Sequence, residues 1–407
     1  MTDSPERKKR DARSAIREVP DVDRPSAWIV SFGPVGSGAD GYLIRVEANS
    51  RALAGLGYEV SVLEVSTRSQ STNPWPHVTT CPAAPWLAAQ RRILGPVNLL
   101  ADLRAQLALA VGTIRNWRSL RAADLVVIEG GLLALTLCVR LSRRNRRPIV
   151  VFDLITLMSS LHRDPPGRCI FQCKVRRRIW RVLELVCVKF CDVSVAGSIE
   201  DANELYSSNV KVVPHALIAD PQVIDVSEKR DLVGFLGSGH VVPNREALSF
   251  IALSVLRHAG LETVRCRVIG QKEGYSHENS ERLEFVGFRE NPATALAEVS
   301  VGCAPMDGAG GVSTKVLAYL AHGKRTVCTP EAAHGIARPF VGLWVAERAD
   351  FAQAVADALA FPWSAGESHK LREWMHEHHG LGGLQRSWQE ALSEADGGRS
   401  GASSTTV

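Results

Sequence analysis

Apolar residues in this chain gather into short runs that alternate with stretches of helical period. This is the pattern of a sheet whose strands are buried on both faces. The first run is Trp28-Ile29-Val30-Ser31-Phe32, which stops at a glycine-bearing loop from Gly33 to Gly41. Leu43, Val46, Leu53 and Leu56 then fall at near-helical spacing, Gly57 ends that helix, and Glu59–Val65 reads as a second strand. Strand, loop, helix and strand in this order are the building unit of a parallel sheet. The unit recurs: Leu125–Ile128 is a strand, followed by Glu129-Gly130-Gly131 and an apolar helix to Leu141. Ile149–Phe152 is another strand and ends on Asp153; Val193–Ala196 and Val210–Val213 complete the first half. Residues 67–117 are less regular, and a helix over Leu99–Ile114 is the better-marked element there.

Proline, aspartate and a loss of periodicity between Pro214 and Lys229 mark an interdomain linker. Beyond it, strands are expected at Leu232–Leu236, Arg265–Ile269, Leu283–Val286, Ser300–Ala304 and Arg325–Cys328. Helices fall between them at Arg245–Arg257, Pro292–Glu298 and Val312–Ala321, and a last one runs from an Asp350 N-cap to Ala360. The predicted fold class is α/β, with two Rossmann-like, doubly wound parallel-sheet domains. The expected division is a basic tail over 1–24, a first domain over 25–215, a linker over 216–229 and a second domain over 230–365. A helical segment over 366–396 packs back on the first domain, and 397–407 form a frayed tail.

Composition narrows this picture without changing it. A chain of 407 residues exceeds what one core usually organises. Its 45% hydrophobic and 22% charged residues exclude bulk disorder. A net charge of +5 is too mild for a nucleic-acid binder, although basic residues cluster at Arg7–Arg10, Arg140–Arg147 and Lys174–Arg181. The N-terminal segment has no apolar core and is no secretory signal. Leu125–Leu141, the longest apolar stretch, contains Glu129 and two glycines and falls short of a membrane span. Nine cysteines, an odd number scattered through apolar runs, suit reduced thiols in the cytoplasm.

Candidate chemistry sits where strands of an open parallel sheet run out into helix N-termini. Three loops qualify: Gly237-Ser238-Gly239-His240, leading through Pro243 and Asn244 into a helix; Gly270 to Gly274; and Pro305 to Lys315, with Gly310-Gly311-Val312-Ser313 at its end. Glycines there let the backbone approach a ligand, and a helix start offers N–H groups to an anion such as a diphosphate. Ser313, Thr314 and the Lys315 ammonium can add to those donors. The lysine of GGVSTK lacks Walker spacing, and GPVGSGADG fails the dinucleotide fingerprint.

The stretch APMDGAGGVSTKVLAYLAHGKRTVCTPEAAHGI resembles the donor-site segment of family 4 glycosyltransferases, which have the two-domain GT-B fold with a cleft between the domains. VGFLGSGHVVPNREAL and LEFVGFRENPATALAEVSVGCAPM are similar to the pieces that precede it. In the first half, GSGADGYLIRVEANSRALAGLGYEVSVLEV resembles the family's opening loop, helix and second strand, and VSVAGSIEDANEL with NVKVVPHALI its closing elements. The resemblance spans roughly 27 to 360. It implies a glycosyltransferase that retains anomeric configuration and needs no cofactor beyond its nucleotide-diphosphate sugar. By it, Gly239, His240, Asn244, Arg245, Gly270, Gly310, Gly311, Val312, Ser313 and Lys315 face the donor. Gly38, Asp40, Gly41 and Arg45 lie on the acceptor side, and Asp153 and Asp307 are the acidic candidates for hydrogen-bonding sugar or acceptor hydroxyls.

Departures from the family pattern are specific. The glutamate that holds the donor ribose is replaced by Ala318, its partner eight residues earlier by Gly310, and the usual Asn-Gly by His215-Ala216. A methyl group accepts no hydrogen bond. A non-catalytic GT-B scaffold or partner subunit is therefore the rival expectation, and nucleotide binding at Gly310–Lys315 discriminates the two. An epimerase would need an acid/base pair near the sugar, which is not identifiable here.

Two secondary signals remain. Cys169, Cys173, Cys187 and Cys191 form two C-x3-C pairs, but structural zinc prefers tighter knuckles, so packing is expected and no metal site. Phe171, Val175, Ile179, Val182, Val186 and Phe190 follow helical spacing among Lys174, Arg176, Arg177, Arg178 and Arg181. That helix, with Trp180, either lies on anionic lipid at the inner face of the membrane or packs on the core with a solvated basic side. His376, His378 and His379 receive no role beyond suiting a helix C-terminus.

Overall fold

The computed structural model describes residues 24–32, 41–66, 78–82, 116–129, 148–155, 157, 159, 170–205, 207, 209–217, 229–276, 281–289, 291–307, 311–339 and 341–403. The expected helices at 99–114 and 130–141, and most of the linker, lie outside them.

Two wholly parallel sheets form the protein. The first contains β1 (Ser26–Phe32), β2 (Glu59–Ser66), β3 (Val78–Pro82), β4 (Leu125–Glu129), β5 (Ile149–Leu154), β6 (Val193–Ala196) and β7 (Val210–Val212), in the order β3-β2-β1-β4-β5-β6-β7. The second contains β8 (Lys229–Leu236), β9 (Arg265–Ile269), β10 (Leu283–Phe285), β11 (Val299–Ala304), β12 (Arg325–Cys328) and β13 (Leu343–Val345), in the order β10-β9-β8-β11-β12-β13. Strand order reverses between β1 and β4, and again between β8 and β11. These are the switch points at which ligands bind in open sheets.

In the first domain, side chains alternate across the sheet as a period of two demands. Ala27, Ile29, Leu125, Val127, Val151 and Val195 face one layer, built by α1 (Gly41–Gly55). Val30, Val126, Ile128, Val150 and Phe152 face the other, with α2 (Trp117–Ala122) and α3 (Ile170–Phe190). A short α4 (Ile199–Glu204) follows, capped by the Ser198 hydroxyl, which accepts from the Asp201 N–H. In the second domain the helices are α5 (Val242–Phe250), α6 (Ala293–Ala297), α7 (Thr314–Ala321) and α8 (Phe351–Ala360). Phe235, Val268, Val301, Cys303, Leu317, Tyr319 and Phe351 are fully buried or nearly so in its single core. Burying each large apolar side chain contributes about 1.5–3 kcal/mol.

Several expectations need correction. The helix expected over Arg245–Arg257 is α-helical only to Phe250 and widens into a π turn over Ile251–Val255. Asp350 stands at the N-cap of α8 but its side chain makes no cap hydrogen bond. On α3 the buried face carries Trp180, Glu184, Cys187 and Val188, while Val175, Val182 and Leu185 are exposed. Of the apolar stripe, Val175 and Val182 face solvent while Ile179, Val186 and Phe190 are half-buried, and Trp180, expected to accompany the stripe onto lipid, points to the core. Glu184 tolerates burial because Ser159 donates to it through both its N–H (3.1 Å) and its hydroxyl (2.6 Å).

Two helices follow the second domain: α9 (Ala365–His379), opened by a Ser364/Glu367 capping box, and α10 (Leu381–Ser403). The last helix continues to Ser403 instead of fraying near Gly397. Leu384, Trp388, Ala391, Leu392 and Ala395 of α10 pack into the same layer as α1, completing the first domain's core. Where the chain returns, the Leu217 N–H donates to the His379 carbonyl (3.0 Å) and His379 Nδ1 meets the His215 carbonyl (2.9 Å). Burial holds His379 below its ordinary pKa, which keeps it neutral. The histidine expected to have no role straps the two crossings together.

Candidate functional site

Glu129 and Asp153 end neighbouring strands and stand side by side in register. Two buried carboxylates repel and desolvate each other unless donors surround them. Arg45 of α1 supplies the main answer: Nε donates to Asp153 Oδ2 at 2.8 Å and Oδ1 at 3.0 Å, and Nη2 to Oδ1 at 2.7 Å. Its Nη1 reaches the Val213 carbonyl at 3.1 Å. One turn along α1, Asn49 Nδ2 donates to Asp153 Oδ2 (2.8 Å) and Glu129 Oε1 (3.1 Å). Trp388 Nε1 in turn donates to Asn49 Oδ1 at 3.0 Å. Burial, and then the Asp153 charge, push the Glu129 carboxyl well above its ordinary range. The side chains of Arg45 and Asp153 are 1% and 0% exposed. Both were expected to meet substrate; they are instead struts that fix α1 to the strand ends, with their polar atoms used on each other. Gly41 opens α1, whereas Gly38 and Asp40 lie outside the described residues.

The second domain uses its strand ends differently. Tyr319 of α7 is buried, its hydroxyl accepting from the Leu236 N–H (2.7 Å) and donating to the Cys303 carbonyl (3.3 Å). It pins the ends of β8 and β11, from which two of the three loops spring. Gly302 lies so close beneath its ring that a Cβ would stand 2.3 Å from it. The loop after β8 and the loop after β9 grip each other: the Gly239 N–H donates to the Gln271 carbonyl (2.8 Å) and the Gln271 N–H to Ser238 Oγ (3.0 Å). A Cβ on Gly270 would meet the Gly237 carbonyl at 2.3 Å. Asn244 is buried and donates to the Ser238 carbonyl (3.2 Å), and Arg245 Nη1 reaches the Gly274 carbonyl (3.5 Å). These two were expected on the donor; in this structure they brace the paired loops, beside an exposed His240. Asp307 is paired with Arg348 at 2.6 Å on a half-exposed edge, where Arg348 also covers the Phe250 ring.

The third loop leads into α7. Gly311 takes a φ of +78°, a left-handed turn that suits glycine, and Ser313 occupies the N-cap of α7 without spending its side chain on the helix. Lys315 lies half-buried in the first turn, and Gly310 is outside the described residues. Ala318 follows one turn on, its carbonyl taken by His322 Nδ1 at 2.7 Å.

This helix start abuts the first domain. The Val312 side chain sits between two glycines, Gly197 beyond β6 and Gly335 of the second domain, whose missing Cβ atoms make room for it. Beside it, His334 Nε2 lies 3.2 Å from Ser198 Oγ and 3.1 Å from Asp201 Oδ1, a polar contact between the domains. The hydrogen bond to Asp201 raises the His334 pKa against the opposing effect of burial. On the other side of Gly197 is His215, only 3% exposed and, among the described residues, without a well-formed hydrogen bond at either ring nitrogen. Such a group typically costs about 1–3 kcal/mol. Burial, then the Arg45 charge, hold its pKa well below the usual histidine value, only partly opposed by the Ile155 backbone.

Residues 230–360 match the family model described as glycosyl transferases group 1. The second domain is a group 1 glycosyltransferase domain. No curated protein matches the sequence. Among solved structures, a sucrose-phosphate synthase from Thermosynechococcus elongatus superposes with a TM-score of 0.70 at 13% identity, covering 92% of this chain and 100% of that one. HepE of Anabaena in complex with UDP gives 0.62 at 13%, covering 91% and 99%. A UDP-forming α,α-trehalose-phosphate synthase from Burkholderia xenovorans in complex with glucose-6-phosphate gives 0.63 at 11%, covering 91% and 100%. At these identities the likeness establishes the GT-B fold of the whole chain, with the glycosyltransferase domain as its second half.

Sequence reasoning missed the crease residues. His215 was visible as a departure from Asn-Gly, but its isolation is a property of the folded site. Ser198, Asp201 and His334 carry no motif and meet only through the domain arrangement. Cys187 and Cys191 are buried free thiols, and burial raises the Cys191 thiol well above its ordinary range, as inert core cysteines require. Cys169 lies outside the described residues, and nothing is described of the Cys173 side chain.

Proposed function

We propose that this protein transfers a glycosyl group from a nucleotide-diphosphate sugar to an acceptor bound between the domains, with retention of configuration. The observation that carries this reading is the N-terminus of α7, with a left-handed Gly311, an unspent Ser313 and Lys315 in the first turn, set against the first domain. Helix N–H groups and a cation there stabilise the departing diphosphate. The family match over the domain and the UDP named for HepE support it. The test is calorimetric titration with UDP, GDP, ADP and TDP, beside Lys315→Ala. Saturable binding of one nucleotide at about 1 mM or tighter, weakened by the substitution, is expected. Binding of none would transfer the reading to a non-catalytic GT-B scaffold, which Ala318 favours because a methyl cannot hold a ribose.

The acceptor side faces an anionic membrane in this reading. Val175, Val182 and Leu185 are exposed along α3, Val182 at 59%, and exposed Lys174, Arg178 and Lys189 accompany them. Apolar side chains flanked by cations suit insertion among anionic headgroups. Among the described residues, no helix is long and apolar enough to cross a membrane. Co-sedimentation with phosphatidylglycerol vesicles, lost in Val182→Asp/Leu185→Asp and absent for phosphatidylcholine, is the expected result.

A further inference from the structure

We infer that His215 is a positioning residue for the donor, taking up a proton when a diphosphate binds at the start of α7 and giving the N–H so formed to one of its oxygens. The inference rests on the donor-site reading above and adds a ligand contact from the interdomain crossing.

Three observations converge on it. The imidazole is 3% exposed and makes no well-formed hydrogen bond among the described residues. A neutral ring carries one donor and one acceptor on separate nitrogens, so the Ile155 carbonyl beside it answers the N–H and leaves the other nitrogen bare. Secondly, the ring lies beside the residue that leads into α7. A Cβ on Gly197 would stand 2.8 Å from His215 Cδ2, 3.1 Å from its Nε2 and 3.6 Å from Val312 Cγ2. The imidazole edge and the valine that leads into α7 therefore share the space left by one missing side chain. Thirdly, the helix start is prepared for an anion, with Ser313 making no side-chain cap. A buried imidazole with a bare nitrogen, next to a helix start whose N-cap side chain makes no cap bond, is complementary to a phosphate oxygen entering between them.

Electrostatics fit the role. Burial and the Arg45 charge keep the free ring neutral, so no second cation stands in the crease before the diphosphate arrives. A bound diphosphate reverses that balance and draws the pKa upward.

The experiment is NMR of the full chain labelled in its histidine rings, titrated with UDP, GDP, ADP and TDP, with inorganic pyrophosphate and with uridine. The nucleotide that binds, and pyrophosphate, are expected to shift the His215 resonances and raise its pKa by a unit or more; uridine leaves them unmoved. His215→Ala is expected to weaken that nucleotide at least tenfold, and His215→Gln to restore part of the loss. Since the wild-type spectra carry the same information, a variant that fails to fold does not remove the test. Nucleotide binding that leaves His215 unshifted overturns this inference alone. A response to uridine equal to that of UDP also overturns it, because the contact would then be to the nucleoside. Binding of no nucleotide overturns the donor-site reading and this inference with it.

Discussion

The two domains share a fold and treat the same structural opportunity in opposite ways. At the strand ends of the first, Arg45, Asn49 and Asp153 spend their polar atoms on one another, on Glu129 Oε1 and on Trp388. At the strand ends of the second, two loops satisfy each other while Ser313, at the N-cap of α7, makes no side-chain cap bond. Polar groups paired with one another make a strut; a helix start with an unspent N-cap side chain makes a site. A carboxylate at the end of a strand is thus weak evidence for chemistry until its partners are known.

Asp153→Ala breaks the first arrangement most severely. It strands the Arg45 guanidinium in a buried position, and removing one partner of such a pair costs about 3–5 kcal/mol. Urea denaturation should show that loss, whereas replacing Arg45 and Asp153 together by Met and Leu should recover most of it. A stable Asp153→Ala protein with impaired turnover would return Asp153 to the substrate. Trp388→Phe keeps most of the packing but leaves the Asn49 carbonyl unpaired, for an expected loss of about 1–3 kcal/mol by the same measurement. Gly311→Ala sharpens the contrast from the other side. A left-handed alanine costs about 1–2 kcal/mol, and nucleotide affinity should fall tenfold or more, a functional loss that Trp388→Phe does not produce.

The smallest effect concerns the contact between the domains. Asp201 raises the His334 pKa, so His334 binds its proton more tightly folded than unfolded. The resulting stability is fully present below the unfolded value of about 6.5. It is lost as pH rises through the higher folded value. Because the group is partly exposed, the gain is expected below about 1 kcal/mol. Denaturation at pH 5.5 and pH 8.5 should differ in wild type by more than in His334→Gln. Equal differences would remove His334 from the account.

The sheets were legible because buried parallel strands are nearly continuous apolar runs; Arg325–Cys328 coincides with β12 to the residue. Strands with weaker runs escaped, such as Val78–Pro82, where two threonines and a proline carry no periodic signal. On α3 spacing marks an apolar stripe without saying which side it faces, and Trp180, grouped with the lipid face, packs in the core instead. Asn244 and Arg245 lie at a helix start as expected, but spacing says nothing about which backbone carbonyl a side chain reaches. Glycines were read as ligand contacts, yet Gly270 answers to the neighbouring loop. The crease was illegible for a simpler reason: Gly197, His215, Val312 and His334 come from four separate stretches of chain.

The bond from Trp388 to Asn49 joins residues 339 positions apart, and that distance has a consequence for synthesis. The second domain is drawn from one continuous stretch, so it can close as soon as that stretch has left the ribosome. The first domain lacks part of a core layer until α10 emerges, after the whole of the second domain. Although domains commonly fold in the order in which they are made, the earlier of these two domains is the later to be completed.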